Sequence, residues 1–145
     1  MTPARSSKMI IRPATIADRS SVIALWETVF PDDPPHNAPP KVFDAKLAVR
    51  DDMLLVALDG DAVAGTTMAG YDGHRGWLHK VAVSPQYRGR GLATALVRHA
   101  IRVLRSAGCT KVNLQIRATN LEVRKFYEGL GFEIEERLSM ARHIG

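Results

Sequence analysis

Val81-Ala82-Val83-Ser84-Pro85-Gln86-Tyr87-Arg88-Gly89-Arg90-Gly91-Leu92-Ala93-Thr94-Ala95 is the stretch that decides the fold of this 145-residue chain. It begins as the end of an apolar strand over 77–83, turns through 84–90 and opens a helix over 91–107. Leu92, Leu96, Ile101 and Leu104 line one side of that helix, and Gly108 ends it. Glycines at 89 and 91 let the backbone curl closely, and the helix start leaves the N–H groups of 89–94 unpaired around one spot. The helix dipole adds roughly half a positive charge there, and Arg88 and Arg90 bring two whole ones. A phosphate or diphosphate is the natural guest. The same letters also suit a plain reversal of strand into helix with arginines for solubility, and the turn by itself leaves both readings open. Two other phosphate motifs fail on spacing. No Gly is followed by the Lys of a nucleoside-triphosphate loop, and Gly89-Arg-Gly91-Leu-Ala-Thr94 lacks the third glycine of a dinucleotide fingerprint.

Working outward, residues 111–117 alternate Val112, Leu114 and Ile116 against polar neighbours, as a strand does. A strand, helix and strand in succession make a right-handed crossover, so 77–83 and 111–117 run parallel. The mostly apolar 77–83 reads as a central strand buried on both faces. Upstream, Met9 to Pro13 is a short strand, and Thr15 with Asp18 forms a capping-box pattern. The helix that follows carries Val22, Leu25, Trp26 and Val29 on one stripe and closes at Phe30. Five prolines between 31 and 40 predict a loop, followed by a helix over 41–50. Residues 53–58 and 62–70 form a hairpin about Asp59-Gly60. A last helix over 120–130 ends at Gly131, and 132–136 with 138–144 read as a closing pair of strands. The fold class is α/β (α+β), with a mixed, mostly antiparallel sheet.

With 46% hydrophobic and 24% charged residues the chain can close one core. Residues 9–145 read as a single domain behind a frayed polar tail at 1–8. No apolar run approaches the roughly 18 residues that span a bilayer, and the N-terminus lacks a secretory segment. A cytoplasmic protein without membrane contact is the default expectation. One cysteine, Cys109, excludes an internal disulfide, and five histidines without ligand spacing offer no metal site. The net charge of +5 is uneven: residues 1–73 hold 7 Lys/Arg against 10 Asp/Glu, and 74–145 hold 13 against 5. The basic half suits a polyanion or a phosphorylated cofactor equally by charge alone. No basic patch interleaved with aromatics and no recognition helix accompanies it, so nucleic acid is not expected as a partner.

Two signatures then narrow the reading. Arg88-Gly-Arg-Gly91-Leu-Ala93, after a strand ending Val83-Ser-Pro85, resembles the Arg/Gln-x-x-Gly-x-Gly/Ala diphosphate signature of the GNAT superfamily of N-acetyltransferases. Some 27 residues past Ala93, Asn120-Leu-Glu-Val-Arg-Lys-Phe126-Tyr127-Glu-Gly-Leu-Gly131-Phe132 is similar to that superfamily's second signature, with Val123 where Ala is usual. The resemblance covers about 9–143 and looks closest to small stand-alone bacterial members, which often dimerise. It implies the GNAT fold, a splayed parallel strand pair flanked by four helices, with acetyl-CoA as cosubstrate and no metal.

The resemblance also implies roles. Backbone groups of Val81 and Val83 would pair with the pantetheine arm, and an N–H near Val81 would meet the developing oxyanion. N–H groups of Arg88, Gly89, Arg90, Gly91, Leu92, Ala93 and Thr94 would hold the diphosphate. Asn120 would reach the cofactor's arm, although an asparagine there also makes a plain N-cap. Tyr127 would be the general acid for the leaving thiolate, since a phenol stays protonated at neutral pH. The general base stays open between Glu27 on the first helix, His79 on the parity of Trp77, Val81 and Val83, and a water chain. The implied reaction is direct attack of a primary amine, small-molecule or peptide, on acetyl-CoA in a ternary complex. Asp32 and Asp33 in the proline-rich loop motivate a cationic acceptor. The competing reading is a non-catalytic CoA-binding or partner-binding module.

Overall fold

The computed structural model describes residues 9–145, so the tail expected at 1–8 lies outside the described residues. The chain divides into two compact units, one ending at Leu114 and one spanning Gln115–Gly145.

The first unit is built on a mixed sheet. Among the described residues β1 (Ile10–Pro13), β2 (Leu54–Asp59), β3 (Ala62–Tyr71), β4 (Gly76–Val83) and β5 (Val112–Asn113) lie side by side in that order. Neighbours are antiparallel except β4 and β5, which run parallel as the crossover rule requires. That parallel ladder pairs Gly76 with Val112 and Trp77 with Asn113 and stops there. Leu78–Val83 has no strand paired with it on that edge among the described residues. The strand expected over 111–117 is therefore two residues long, because alternation marks a two-faced segment without setting the length of its ladder.

Two helices cover one face of the sheet. α1 (Arg19–Val29) and α2 (Pro39–Val49) bury Val22, Leu25, Trp26 and Phe43 with Leu54, Val56, Met68 and Ala82. α1 starts later than the capping pattern suggests, because Thr15 introduces a 3-10 turn at Ile16–Asp18 instead. Asp18 accepts from the Thr15 N–H at 2.8 Å and from the Arg12 guanidinium at 2.8 and 3.1 Å, tying β1 to the turn. α2 starts earlier than expected. Pro39 and Pro40 form its first turn, where a missing N–H costs nothing and the fixed φ already suits a helix. α3 (Leu92–Ser106) covers the opposite face, with Leu92 and Leu96 packed on Ala57 and Ala64.

β4 departs from the reading that it is buried on both faces. Gly76, Leu78 and Ala82 are buried, whereas His79 is exposed and Trp77, Lys80, Val81 and Val83 are half-buried. The cause is a bulge. Thr66 pairs with Ala82 and Met68 with His79, so Thr67 alone faces both Lys80 and Val81. Lys80 takes φ +51° there, and the side-chain parity flips. His79 stays with Trp77 on the α1–α2 face, while Val83 packs with Leu92 and Leu96 on the α3 face. The shared parity of His79 and Val83 expected from sequence does not survive the extra residue.

In the second unit, α4 (Leu121–Gly129) is the last helix. Residues 132–136 and 138–144 form no strand, and Leu138, Met140 and Ile144 are 93%, 91% and 93% exposed. Alternation alone does not hold an extended segment without a paired neighbour.

Candidate active site

The turn after β4 is shaped by its two glycines. Gly89 and Gly91 adopt φ +77° and +76°, and Gly91 is the N-cap of α3. A Cβ at either would meet no protein atom within 4 Å, so the left-handed backbone, and not crowding, is what asks for glycine. No side chain caps α3, and its first return bond is Ala95 N–H donating to Gly91 O at 3.1 Å. The N–H groups of Leu92, Ala93 and Thr94 thus project from the positive end of a 15-residue helix. Arg88 is exposed and donates through Nε to Val83 O at 3.2 Å. The Arg90 guanidinium lies over the Tyr87 ring, 5.4 Å from its centroid. Tyr87 in turn donates to Asp59 Oδ2 at 2.8 Å, an acceptor whose pull raises the phenol pKa. The turn is therefore fastened to β2 and to the end of β4, and the arginine charges stand beside the uncapped helix. This arrangement fits a diphosphate.

The bulge is held from behind. The Thr66 hydroxyl accepts from Trp26 Nε1 at 2.9 Å and donates to Lys80 O at 2.8 Å. Thr66 and Trp26 are fully buried. One helix and one strand thereby fix the left-handed residue immediately before Val81. None of Thr66, Trp26 or Lys80 stood out as functional in the sequence, where a lysine amid an apolar strand was the one available signal.

His79 lies on an open surface depression of about 310 Å³ lined by Trp77, Met68, Tyr71, Lys46 and Asp51 among others. Its ring stacks on Trp77 with centroids 6.3 Å apart and planes 10° from parallel. Partial desolvation against the neighbouring walls, followed by the nearby charges of Lys46 and Lys80, pushes its pKa below the ordinary imidazole value. Glu27 is exposed on α1, next to the buried Trp26, and nothing among the described residues joins it to His79. Of the two loop acids, Asp32 is exposed, whereas Asp33 accepts from Lys80 Nζ at 2.5 Å. Cys109 is buried, with Sγ directed to Lys111 O at 3.2 Å, as a structural cysteine would be.

In the second unit Asn120 is the N-cap of α4, its Oδ1 accepting from Val123 N–H at 3.2 Å. Tyr127 is buried and lies edge-on to Phe126 and Phe132, at 4.9 and 5.5 Å between centroids. Burial pushes its pKa up to about 12.

The acetyltransferase (GNAT) family matches residues 20–132. An acetyltransferase of Sodalis glossinidius is 40% identical over 130 residues, which is 88% of this chain and 89% of that protein. One of Yersinia enterocolitica is 36% identical over 138 residues, covering 94% and 96%. The aminoglycoside N-acetyltransferase AAC(6′)-Iy, solved with the bisubstrate analogue CoA-S-monomethyl-acetylneamine, matches in fold with a TM-score of 0.74 at 22% identity, over 94% of this chain and 99% of that one. The chain belongs to the GNAT acetyltransferase family and is an enzyme of the N-acetyltransferase class.

Proposed function

We propose that residues 9–145 act as one cytoplasmic domain that transfers an acetyl group from acetyl-CoA to a primary amine by direct attack in a ternary complex. The observation that carries this reading is the uncapped start of α3 behind two left-handed glycines, flanked by Arg88 and Arg90 at the end of a strand whose outer edge is unpaired beyond Trp77 among the described residues. Main-chain N–H groups from Gly89 to Thr94 hold the diphosphate of CoA; the Arg88 N–H, expected among them, is already donated to Pro85 O at 3.3 Å, which leaves Arg88 its side chain for this role. Backbone groups of Val81 and Val83, on the unpaired edge of β4, take the pantetheine arm, and the Val81 N–H faces the oxyanion. Asn120 steadies the arm as well as capping α4.

Tyr127 acts as the general acid. With a pKa of about 12 it keeps its proton throughout the neutral range and gives it to the departing sulfur. His79 is the better supported base, because it lines a depression beside Trp77 and its lowered pKa favours the neutral imidazole that can accept a proton. The acceptor is a small-molecule or peptide amine. A strongly cationic acceptor loses part of its motive, since Asp33 is already neutralised by Lys80.

Tyr127→Phe tests the reading. Acetyl-CoA affinity is expected to stay unchanged while acetylation of the best amine in a panel falls about 10²- to 10⁴-fold. Unchanged turnover would remove Tyr127 from the mechanism.

A further inference from the structure

The Lys80 side chain leaves the bulge toward α1 and ends on Asp33, with the Phe30 ring centroid at 4.7 Å and that of Trp26 at 5.8 Å from Nζ. The Lys80 side chain is 14% exposed and that of Asp33 21%, so this is no surface pair. Partial desolvation strengthens the attraction, and removing either partner leaves the other poorly compensated. The aromatic faces add a further hold on the ammonium. Asp33 belongs to the segment between α1 and α2, where Pro31, Pro34 and Pro35 fix three of the φ angles before Pro39 and Pro40 begin α2. In a segment stiffened in this way, an ion pair from its interior to the sheet helps set where it lies. Lys80 is thus gripped at both ends. Thr66 holds its carbonyl in the sheet, and the loop holds its ammonium.

We infer that Lys80 and Asp33 form a latch that seats the proline-rich loop on the β4 bulge, making Lys80 a positioning residue that fixes the acceptor-side wall relative to the Val81 N–H. The role given to that wall and N–H rests on the acetyl-transfer reading above; the latch itself rests on the contacts. It follows that an incoming amine meets Asp32 as the exposed loop acid, with Asp33 withdrawn.

The test compares Lys80→Met, Asp33→Asn, their double variant and Lys80→Arg with the unaltered protein. Hydrogen–deuterium exchange needs no acceptor. Amides of 32–38 should exchange about tenfold faster in either single variant, with α3 unchanged. Calorimetry should give acetyl-CoA affinities within about twofold of the unaltered protein, while KM for the best amine of the panel rises about tenfold and kcat moves less. The double variant should match the singles, and Lys80→Arg should restore most of the loss. A role in stability alone would lower the melting temperature without this split between amine KM and cofactor affinity. Unchanged loop exchange in both singles, or singles that add in the double, would overturn the latch. If the unaltered protein binds no acetyl-CoA, the acetyl-transfer reading fails instead, and the exchange result still decides the latch.

Discussion

At the scale of single residues, two titrating groups set the pH behaviour of the proposed chemistry. His79 must be neutral to take a proton, and its pKa is lowered chiefly by partial desolvation. The acid limb of kcat/KM should therefore lie below the ordinary imidazole value of about 6.5, and it should vanish in His79→Gln. A limb at or above that value would exclude His79 as the base. Tyr127 must stay protonated, and with its pKa pushed up to about 12 it should cause no alkaline loss of kcat below about pH 10. Both residues could be named as candidates from sequence, Tyr127 from the second signature and His79 from a parity that holds with Trp77 but that the bulge breaks toward Val83. Asn120 was legible as a cap, and that is what its Oδ1 does. Asp33 was legible only as a loop acid, because its partner lies 47 residues away and no local pattern announces a long-range pair.

Among the elements, β4 shows where local pattern stops. Its existence, its direction relative to β5 and the glycine turn beyond it follow from apolar content, the crossover rule and the positive φ that Gly89 and Gly91 supply. The bulge does not, because every residue after an inserted one changes face and the sequence marks the insertion only with a lysine. Its support can be measured. Thr66→Val keeps the shape but strands the buried Trp26 N–H and releases Lys80 O, and should cost about 1–3 kcal/mol in urea unfolding. A loss much below 1 kcal/mol would mean the bulge stands without that support. Two other differences from the sequence reading have a similar origin. Pro39 and Pro40 read as loop residues by their missing N–H groups yet start a helix, and the alternation after Gly131 has no paired strand among the described residues.

For the whole molecule, the pairing of Asp18 with Arg12 links stability to acid. Hydrogen bonding from Arg12 is the main cause that lowers the Asp18 pKa, so the folded value lies below the unfolded one. Its contribution is complete above the unfolded value of about 3.9 and fades as pH falls through the folded one. Asp18→Asn should therefore lose about 1–3 kcal/mol at pH 7, and the gap to the unaltered protein should narrow below about pH 4 in urea titrations. A constant gap across that range would show that the charge is not what matters. No helix among the described residues is long and apolar enough to cross a membrane.

The most direct measurement is calorimetric titration of acetyl-CoA into the unaltered protein and into Gly91→Asp. Aspartate tolerates the left-handed backbone better than most residues and is a favourable residue at a helix start, so the variant should stay folded while its carboxylate repels a diphosphate. The expected result is saturable heat from the unaltered protein and affinity at least about tenfold weaker in the variant, a difference of about 1.4 kcal/mol. No heat from the unaltered protein, or equal affinity in both, would contradict a diphosphate held at the start of α3.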